Sequence, residues 1–320
     1  MQFSRRLVAA AFASGLVACR RKGARVIAVV PMGRSHLFWQ SIHAGAVAAS
    51  WETGVEIIWN GPAAETDYNG QIQIVDAMIN RRVDAIALAP IDRKVMIGVV
   101  ERAARAGIPV IIFDSPVDTD KCTAEVATDN YGAGRMAAER MGRILNGNGE
   151  VVIVAGQPGS ASNLAREQGF EDKIRESYPR IRILDKRYGM ADFANSLKVA
   201  ENMLTAHPAL DGIFASNEPA SVGAALAVKS RPGKVRIVGF DWSPNLLEDL
   251  QAGVIDSLVA QHPFKIGYES VMLALKKLEG KPVAKVNKMA PRLVTRENMN
   301  DPDVLLQVRP DLNKYLGPTL

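Results

Sequence analysis

Short apolar runs alternate with segments of helical periodicity along most of this chain. The first run, Val26–Val30, is continuously apolar, which is typical of a strand buried on both faces of a parallel sheet. Pro31 and Gly33 end this strand, Ser35 is the candidate N-cap of the next helix, and apolar residues recur at helical spacing from Trp39. The segment predicts a βα unit, and in open α/β sheets ligands bind at the carboxyl ends of such strands.

The alternation continues as far as Gly280. A chain of 320 residues is too long for one ordinary core and fits two α/β domains. We therefore predict an α/β fold of two successive doubly wound, parallel-sheet lobes. Further strands are predicted at Val55–Trp59, Asp84–Ala89, Ile108–Phe113, Thr123–Ala127, Glu150–Ala155, Ile181–Lys186, Gly212–Ala215, Val235–Phe240 and Ser257–Ala260. Helices are predicted at Lys94–Ala106, Leu164–Tyr178, Phe193–Ala206, Ala220–Lys229 and Phe264–Leu278, among others.

The net charge of +5 comes from the first 25 residues, which hold six bases and no acid. The rest of the chain carries 33 basic and 34 acidic residues, so its charge is close to zero. A near-neutral body gives no electrostatic footprint for nucleic acid, and we expect no nucleic-acid partner.

The basic start of the chain has the layout of a secretory signal. Arg5 and Arg6 precede an apolar core, Leu7–Val17, that is too short to span a membrane. Leu16–Cys19, Leu-Val-Ala-Cys, resembles a bacterial lipobox, which implies lipidation of Cys19. The alternative is a plain signal peptide cleaved nearby. If Cys19 is lipidated, Cys122 has no partner for a disulfide, and we expect it to be a small buried residue.

Motifs for catalysis, metal binding and nucleotide binding are missing or misplaced. Gly132–Ala137 fits G-x-G-x-x-A, but Asp129, Asn130 and Tyr131 separate it from the preceding strand, so its glycines fall inside a helix. The four histidines show no metal-ligand spacing. We therefore expect no catalytic residues, no cofactor and no metal, and no enzymatic activity.

Nine segments, taken together and in order, resemble the type I periplasmic solute-binding proteins, in their ribose-binding-protein-like sugar-binding branch. The resemblance runs from about Val26 to Thr295. The segments are Phe38–Ala46, Ile86–Asp92, Gly107–Pro116, Ala127–Gly134, Leu164–Phe170, Leu204–Pro208, Gly212–Ala220, Ile237–Trp242 and Val259–Gly267.

This resemblance implies two lobes joined by a three-strand hinge, with the ligand between them. By analogy the chain crosses near Thr128–Asn130, Gln261–Pro263 and Pro291–Val294. We therefore expect a signal and tether in residues 1–24, a first lobe in 25–128 plus 262–290, and a second lobe in 129–261 plus 291–320. The tail from Asn298 onward is expected to wrap the surface, without an assigned function.

The resemblance also implies which residues bind. Sugar hydroxyls both donate and accept hydrogen bonds, and sugar ring faces are apolar, so a site needs planar polar groups and flat rings. The implied polar ligand-binding residues are Asp114, Arg166, Asn217, Asp241 and Gln261. The implied ring residues are Phe38, Trp39 and Phe193.

Each of these residues also has a plain structural interpretation. Asp114 and Asn217 are suited to turns or helix caps, and Arg166 to a solvated helix surface. Gln261 fits a purely structural hinge role, and Phe193 fits the first core position of its helix.

Several positions depart from the ribose-type pattern. Ala89 stands where those members have Asn, and the loop before Phe38 is about one residue longer. A larger residue follows Asp241 than is common there. The pocket is therefore expected to suit a sugar other than ribose. Further possible ligand-binding residues are Ser35, His36, Asp92 and Trp242.

The resemblance implies a periplasmic receptor that binds a monosaccharide and delivers it to the membrane subunits of an ABC permease. We expect a monomer held at the membrane only through a lipid on Cys19. Alternatives are a receptor for a non-sugar, such as a furanosyl signal or a polyol, or a ligand carrier for a sensor. A sugar-responsive transcription regulator is less consistent, because it needs a helix-turn-helix where the export signal lies.

Overall fold

Twelve strands and eleven helices form the described part of the chain, residues 24–229 and 235–317 of a computed structural model. The strands are β1 Val26–Val30, β2 Glu56–Trp59, β3 Ala85–Leu88, β4 Val110–Phe113, β5 Ala124–Thr128, β6 Asn148–Ala155, β7 Arg180–Tyr188, β8 Gly212–Ala215, β9 Arg236–Phe240, β10 Ser257–Ala260, β11 Val286–Met289 and β12 Arg292–Thr295. The helices are α1 Leu37–Thr53, α2 Tyr68–Arg81, α3 Ile97–Arg105, α4 Asn130–Ile144, α5 Ala161–Ser177, α6 Phe193–Ala206, α7 Glu218–Lys229, α8 Pro244–Ala252, α9 Pro263–Leu278, α10 Pro302–Val308 and α11 Leu312–Leu316. The predicted export signal and Cys19 lie outside the described residues.

The first sheet has six parallel strands in the order β11-β5-β4-β3-β1-β2. Ala28 at its centre pairs with Ile58 on one side and Ile86 on the other. Helices α1 and α9 cover one face, and α2 and α3 cover the other. Burial on both faces explains why the central strands are continuously apolar.

The second sheet has the order β12-β10-β9-β8-β6-β7. Its strands are parallel except for the edge strand β12, in which Val294 runs antiparallel to Leu258 of β10. Helices α4 and α5 pack on one face, and α6, α7, α8 and α10 pack on the other. The predicted α/β fold of two parallel-sheet lobes is confirmed, with six strands in each sheet. The antiparallel edge is a feature that the sequence pattern did not predict.

Each sheet together with the helices that cover it forms one lobe, called here the first or the second layer. The chain passes between the two layers at three places. It leaves β5 at Thr128 for α4, leaves β10 at Ala260 for α9, and leaves β11 at Met289 for β12. The tail then contacts both layers. In α10, Val304 is buried in the second layer, whereas Tyr315 of α11 has its ring 5.2 Å from that of Trp51 in α1. The expected division of the chain assigned the whole tail to the second lobe, and α11 departs from it.

Local contacts explain two differences at helix starts. The predicted helix at Lys94 begins three residues later, because the Asp92 carboxylate accepts the backbone N–H groups of Lys94 and Val95 and holds a turn there. The predicted N-cap Ser35 is wrong: the N-cap position of α1 is His36, whose side chain makes no capping hydrogen bond.

Helices α1 and α9 approach closely enough that their backbones touch. A Cβ atom on Gly45 would overlap the carbonyl of Phe264, and one on Gly267 would overlap the carbonyl of Ile42. Each glycine therefore receives the backbone of the partner helix, and no other residue type leaves this space. The pair fixes α9 on the first layer immediately after the second crossing.

The same arrangement occurs in the second layer between α4 and α5. A Cβ on Gly134 would overlap the carbonyl of Arg166, and one on Gly169 would overlap the carbonyl of Tyr131. Gly134 is part of the G-x-G-x-x-A segment, and it lies inside α4 as predicted. Its role is close helix packing, which sets the position of Arg166 at the cleft.

We predict that Gly45→Ala lowers the free energy of unfolding by at least about 2 kcal/mol, because backbone atoms cannot move aside as a side chain would. Gly98→Ala in α3 is the matched control, since the nearest atom there is the Arg102 side chain at 3.5 Å. The control should be neutral or stabilise by about 0.5–1 kcal/mol. Urea unfolding measures both, and equal effects would contradict the packing argument.

Candidate ligand-binding site

A cavity lies between the two layers, at the carboxyl ends of their strands. Residues of the first layer line one side of it, namely His36, Phe38, Trp39, Glu65 and Asp114. Residues of the second layer and its crossings line the other side, namely Arg166, Asn217, Glu218, Asp241 and Gln261.

Two carboxylates follow strands directly. Asp114 comes after β4 and Asp241 after β9, with φ angles of 63° and 65°. This left-handed conformation is uncommon outside glycine, although aspartate tolerates it better than most residues. Each residue still donates its backbone N–H to the neighbouring strand, Asp114 to Val126 and Asp241 to Val259, both at 3.0 Å. Both side chains are buried at the cavity wall, and Asp114 is only 3% exposed.

Arg166 projects from α5 into the same cavity and is buried. Its Nε donates to the Asn130 amide oxygen at 2.8 Å, and its Nη1 donates to the Ser216 carbonyl at 3.1 Å. The guanidinium lies 4.0 Å from the centre of the Phe240 ring, within cation–π range. These contacts exclude the alternative of a solvated charge and hold the cation at the cleft.

Gln261 connects the hinge to the cavity. Its amide nitrogen donates to Asp241 Oδ1 at 2.8 Å, and its amide oxygen accepts from the Thr128 hydroxyl at 2.7 Å. The Gln307 amide in turn donates to the Gln261 backbone carbonyl at 2.9 Å. Gln261 therefore lies at a crossing and also lines the cavity, so its position is compatible with both interpretations that the sequence left open.

The position of Asn217 is likewise compatible with both of its interpretations. Its Oδ1 accepts the backbone N–H of Ala220 at 2.9 Å, as a helix-capping residue does, and the residue also lines the cavity. The backbone N–H of Glu218, the residue after Asn217, donates to Asp241 Oδ2 at 3.1 Å. The start of α7 is thus tied to the β9 carboxylate.

The ring residues of the first layer are held by an acid. Glu65 Oε1 accepts the indole N–H of Trp39 at 2.7 Å and lies 2.8 Å from Nδ1 of His36. Phe38 packs edge-on against Trp39, with the two ring centres 5.0 Å apart. Phe38 and Trp39 both line the cavity, where they present apolar surface beside the polar groups.

Four candidates lie away from the cavity wall. Phe193 is 38% exposed, and its ring contacts that of His36 edge-on at 5.1 Å. Ser35 is exposed, and Trp242 is buried in the apolar core of the second layer. The Asp92 carboxylate is used by the turn before α3. The remaining candidates line one shared cavity.

The two layers touch around the cavity. The backbone N–H of Ser162 donates to the Ser115 hydroxyl at 3.1 Å, and that of Arg93 donates to the Gly159 carbonyl at 3.0 Å. Across the cavity mouth, the Phe38 N–H donates to Glu218 Oε2 at 3.3 Å. A molecule in this cavity would therefore contact both layers at once.

Sequence comparison relates this chain to known binding proteins. A family model described as a periplasmic binding protein domain matches residues 27–282. The D-ribose/D-allose-binding protein of Pseudomonas aeruginosa is 31% identical over 264 residues, which cover 79% of this chain and 82% of that protein.

Solved structures agree. A carbohydrate transporter solute binding protein from Agrobacterium radiobacter, in complex with D-arabinose, superposes with a TM-score of 0.87 at 30% identity, covering 90% of this chain and 99% of that one. An ABC transporter solute binding protein from Agrobacterium vitis with bound D-fucose gives a TM-score of 0.85 at 33% identity, with coverages of 87% and 98%.

This chain is a type I periplasmic binding protein. It belongs to the ribose-binding-protein-like branch of sugar-binding ABC solute receptors, a family of non-enzymatic binding proteins. In the described part of the binding protein, no three His, Cys, Asp or Glu side chains are arranged to hold a metal ion. No helix within those residues is both long and apolar enough to cross a bilayer.

Two acids of the binding protein's cavity were missed from the sequence. Glu218 directly follows Asn217 in a segment already assigned to the site, so its place was a usable signal. Glu65 lies in the loop between β2 and α2, where no sequence pattern marks it. Both line the cavity.

Burial shifts the titration of the cavity groups. It raises the pKa of Asp114 to about 7 against the opposing effect of Arg166, and raises the pKa of Glu218 to about 7 against that of His36. Burial raises the pKa of Asp241 as well. For His36 burial lowers the pKa, but the hydrogen bond and charge of Glu65 outweigh it, so the net shift is upward.

We predict that Asp114→Asn stabilises the ligand-free protein in a pH-dependent way. A raised carboxyl pKa means that the folded state holds its proton more tightly, so wild-type stability falls as pH rises from about 4 to about 7. The variant lacks this loss, and its advantage should grow over that window to about 2–4 kcal/mol. Thermal unfolding across the pH range measures it.

The control for this prediction is Asp301→Asn, at an exposed carboxylate in the tail. It should show no such pH-dependent gain. An Asp114→Asn advantage that is constant with pH would contradict the assigned cause.

Proposed function

We propose that this protein is an extracytoplasmic receptor that binds a monosaccharide other than ribose in the inter-lobe cavity and delivers it to an ABC permease. The observation that carries the proposal is the convergence of Asp114 from one lobe with Arg166, Asn217, Asp241 and Gln261 from the other side of the same cavity.

The chemistry of the cavity supports a polyhydroxylated ligand. Carboxylates accept hydrogen bonds from hydroxyls, the guanidinium donates to them, and amides do both. The Phe38 and Trp39 rings add apolar surface for the C–H face of a sugar. The relatives named above bind ribose, allose, arabinose or fucose by their descriptions, which supports the sugar class without selecting one member.

The departures from the ribose-type pattern support a different sugar. Ala89 is fully buried beside Gln71, whose amide donates to its carbonyl at 2.7 Å, and it does not line the cavity. His36, Glu65 and Glu218 line it instead. These three ionisable side chains make the cavity wall suited to a ligand whose hydroxyl or polar groups are arranged differently from those of ribose.

Binding is coupled to hinge closure in this proposal. The ligand contacts both lobes, so it favours the conformation in which they are close together, and the contacts between Ser162 and Ser115 and between Phe38 and Glu218 form in the same conformation. The permease would then recognise the closed surface.

We predict that a thermal-shift screen of pentoses, hexoses, polyols and nucleosides identifies at least one monosaccharide ligand. A ligand at 100 times its Kd adds about 2.7 kcal/mol of stability. Asp114→Ala should weaken its binding by about 2–3 kcal/mol, because the partner hydroxyl is left unpaired. Isothermal titration calorimetry measures the loss.

Asp120→Ala serves as the control, since Asp120 is an exposed carboxylate of the same lobe. It should bind as wild type. A response only to polyols or nucleosides would replace the sugar by a non-sugar ligand, and wild-type binding by Asp114→Ala would refute the assigned site.

The proposal includes a monomeric receptor that is anchored to the membrane by a lipid on Cys19. We predict that Cys19→Ser moves the protein from the membrane fraction to the released periplasmic fraction and abolishes incorporation of labelled palmitate. Cys122→Ser should change neither result. Wild-type protein that is already in the released periplasmic fraction and carries no palmitate label would favour a plain cleaved signal.

A further inference from the structure

The cavity holds more negative than positive groups. Six ionisable side chains line it within the described residues, four acids and two bases. The acids are Glu65, Asp114, Glu218 and Asp241, and the bases are His36 and Arg166. With all six ionised, two negative charges remain uncompensated in a buried space, where charge without a partner is costly.

The two bases are already shared among the acids. Arg166 acts on both Asp114 and Asp241, and Asp241 is further satisfied by the Gln261 amide and the Glu218 N–H. His36 is bonded at 2.8 Å to Glu65. Within residues 24–229 and 235–317, Glu218 is left with the charge of that same histidine and a single side-chain hydrogen bond, the 3.3 Å bond from the Phe38 N–H.

A second observation points to a bound ligand independently of the charge count. Asp114 is 3% exposed, it lines the cavity, and its Oδ1 has no hydrogen-bond partner among the described residues. Buried carboxylate oxygens are normally paired. Asp114 therefore supplies an acceptor for a ligand hydroxyl, while Glu218 supplies a second carboxylate across the cleft.

The missing component is positive charge on the ligand. A neutral sugar pairs with a carboxylate through hydroxyl groups but leaves the excess charge, so one acid must keep its proton. A divalent metal is not favoured, because the described residues hold no cluster of acids or histidines arranged for one. An ammonium group adds one positive charge and three N–H donors beside the Phe38 and Trp39 rings, whose faces also favour a cation.

We propose that the ligand of this cleft is an aminated monosaccharide whose ammonium group is bound by Glu218. The inference rests on the proposed function, since it assumes that a sugar occupies the cavity. It assigns Asp114 and Arg166 to the hydroxyls and Glu218 to the amino group.

The test compares matched ligands by isothermal titration calorimetry at about pH 6.5. The probes are glucosamine, galactosamine and mannosamine, each with its neutral parent hexose and its N-acetyl derivative. We expect at least one aminated sugar to bind about 30-fold more tightly than its parent, the scale of a charge-assisted hydrogen bond. N-acetylation should remove that gain, because it removes the charge.

The informative variant is Glu218→Gln, which keeps an acceptor for the Phe38 N–H and removes the charge. It should lower the ratio of the affinity for the aminated sugar to that for the neutral parent by at least about tenfold. Glu248→Gln, at an exposed acid of α8, is the matched control and should change neither affinity. Equal losses for both sugars would assign Glu218 a structural role and overturn the proposal.

Proton release gives a readout that a structural role would not produce. Burial raises the pKa of Glu218 to about 7, so an arriving ammonium ionises it and frees a proton. Titrations at about pH 6 in two buffers of different ionisation enthalpy should show release in wild type and less in Glu218→Gln. Identical release in the two proteins would contradict the inference.

The outcomes separate the two levels of proposal. Neutral sugars that bind as tightly as their aminated forms would overturn the amino-sugar inference and leave the monosaccharide receptor intact. The absence of binding by any sugar, aminated or neutral, would overturn both.

Discussion

The cleft depends on charge that is buried between two lobes and paired across them. Arg166 is fixed by Asn130 and the Ser216 carbonyl, and its charge opposes the cost of burying Asp114 and Asp241. Since each of these carboxylates directly follows a strand, the sheets themselves set where the charges lie. Within each lobe these side chains are therefore held in place without a ligand, which lowers the conformational cost of binding one between the lobes.

Much of the fold was predictable because parallel strands buried on both faces are continuously apolar. The bounds of β1, β8, β10 and α6 match the prediction. β11 was not recognised, because it is an edge strand in which exposed Val286 and Lys288 alternate with Asn287 and Met289 and give no apolar run. The helices of the tail were also missed, since their Asp, Asn and Pro content is typical of loops.

The site was predictable where residues sit at strand ends, as Asp114 and Asp241 do. The place of Glu65 in the cavity wall was not predictable, because it depends on bonds to Trp39 and His36 that form only in the folded protein. Trp242 is next to Asp241 in the sequence, but this adjacency does not show which way the side chain points, and the ring packs into the core. Loop residues thus need three-dimensional information that strand-end residues do not.

The C-terminal tail has a mechanical consequence. Helix α10 is embedded in the second layer and bonded through Gln307 to the Gln261 carbonyl, while Tyr315 of α11 rests on Trp51 and Phe264 of the first. Only residues 309–311 separate these two helices. The tail therefore bridges the hinge between the lobes. Rotating the lobes apart must either extend those three residues or separate α11 from Trp51 and Phe264, so the tail limits how far the cleft can open.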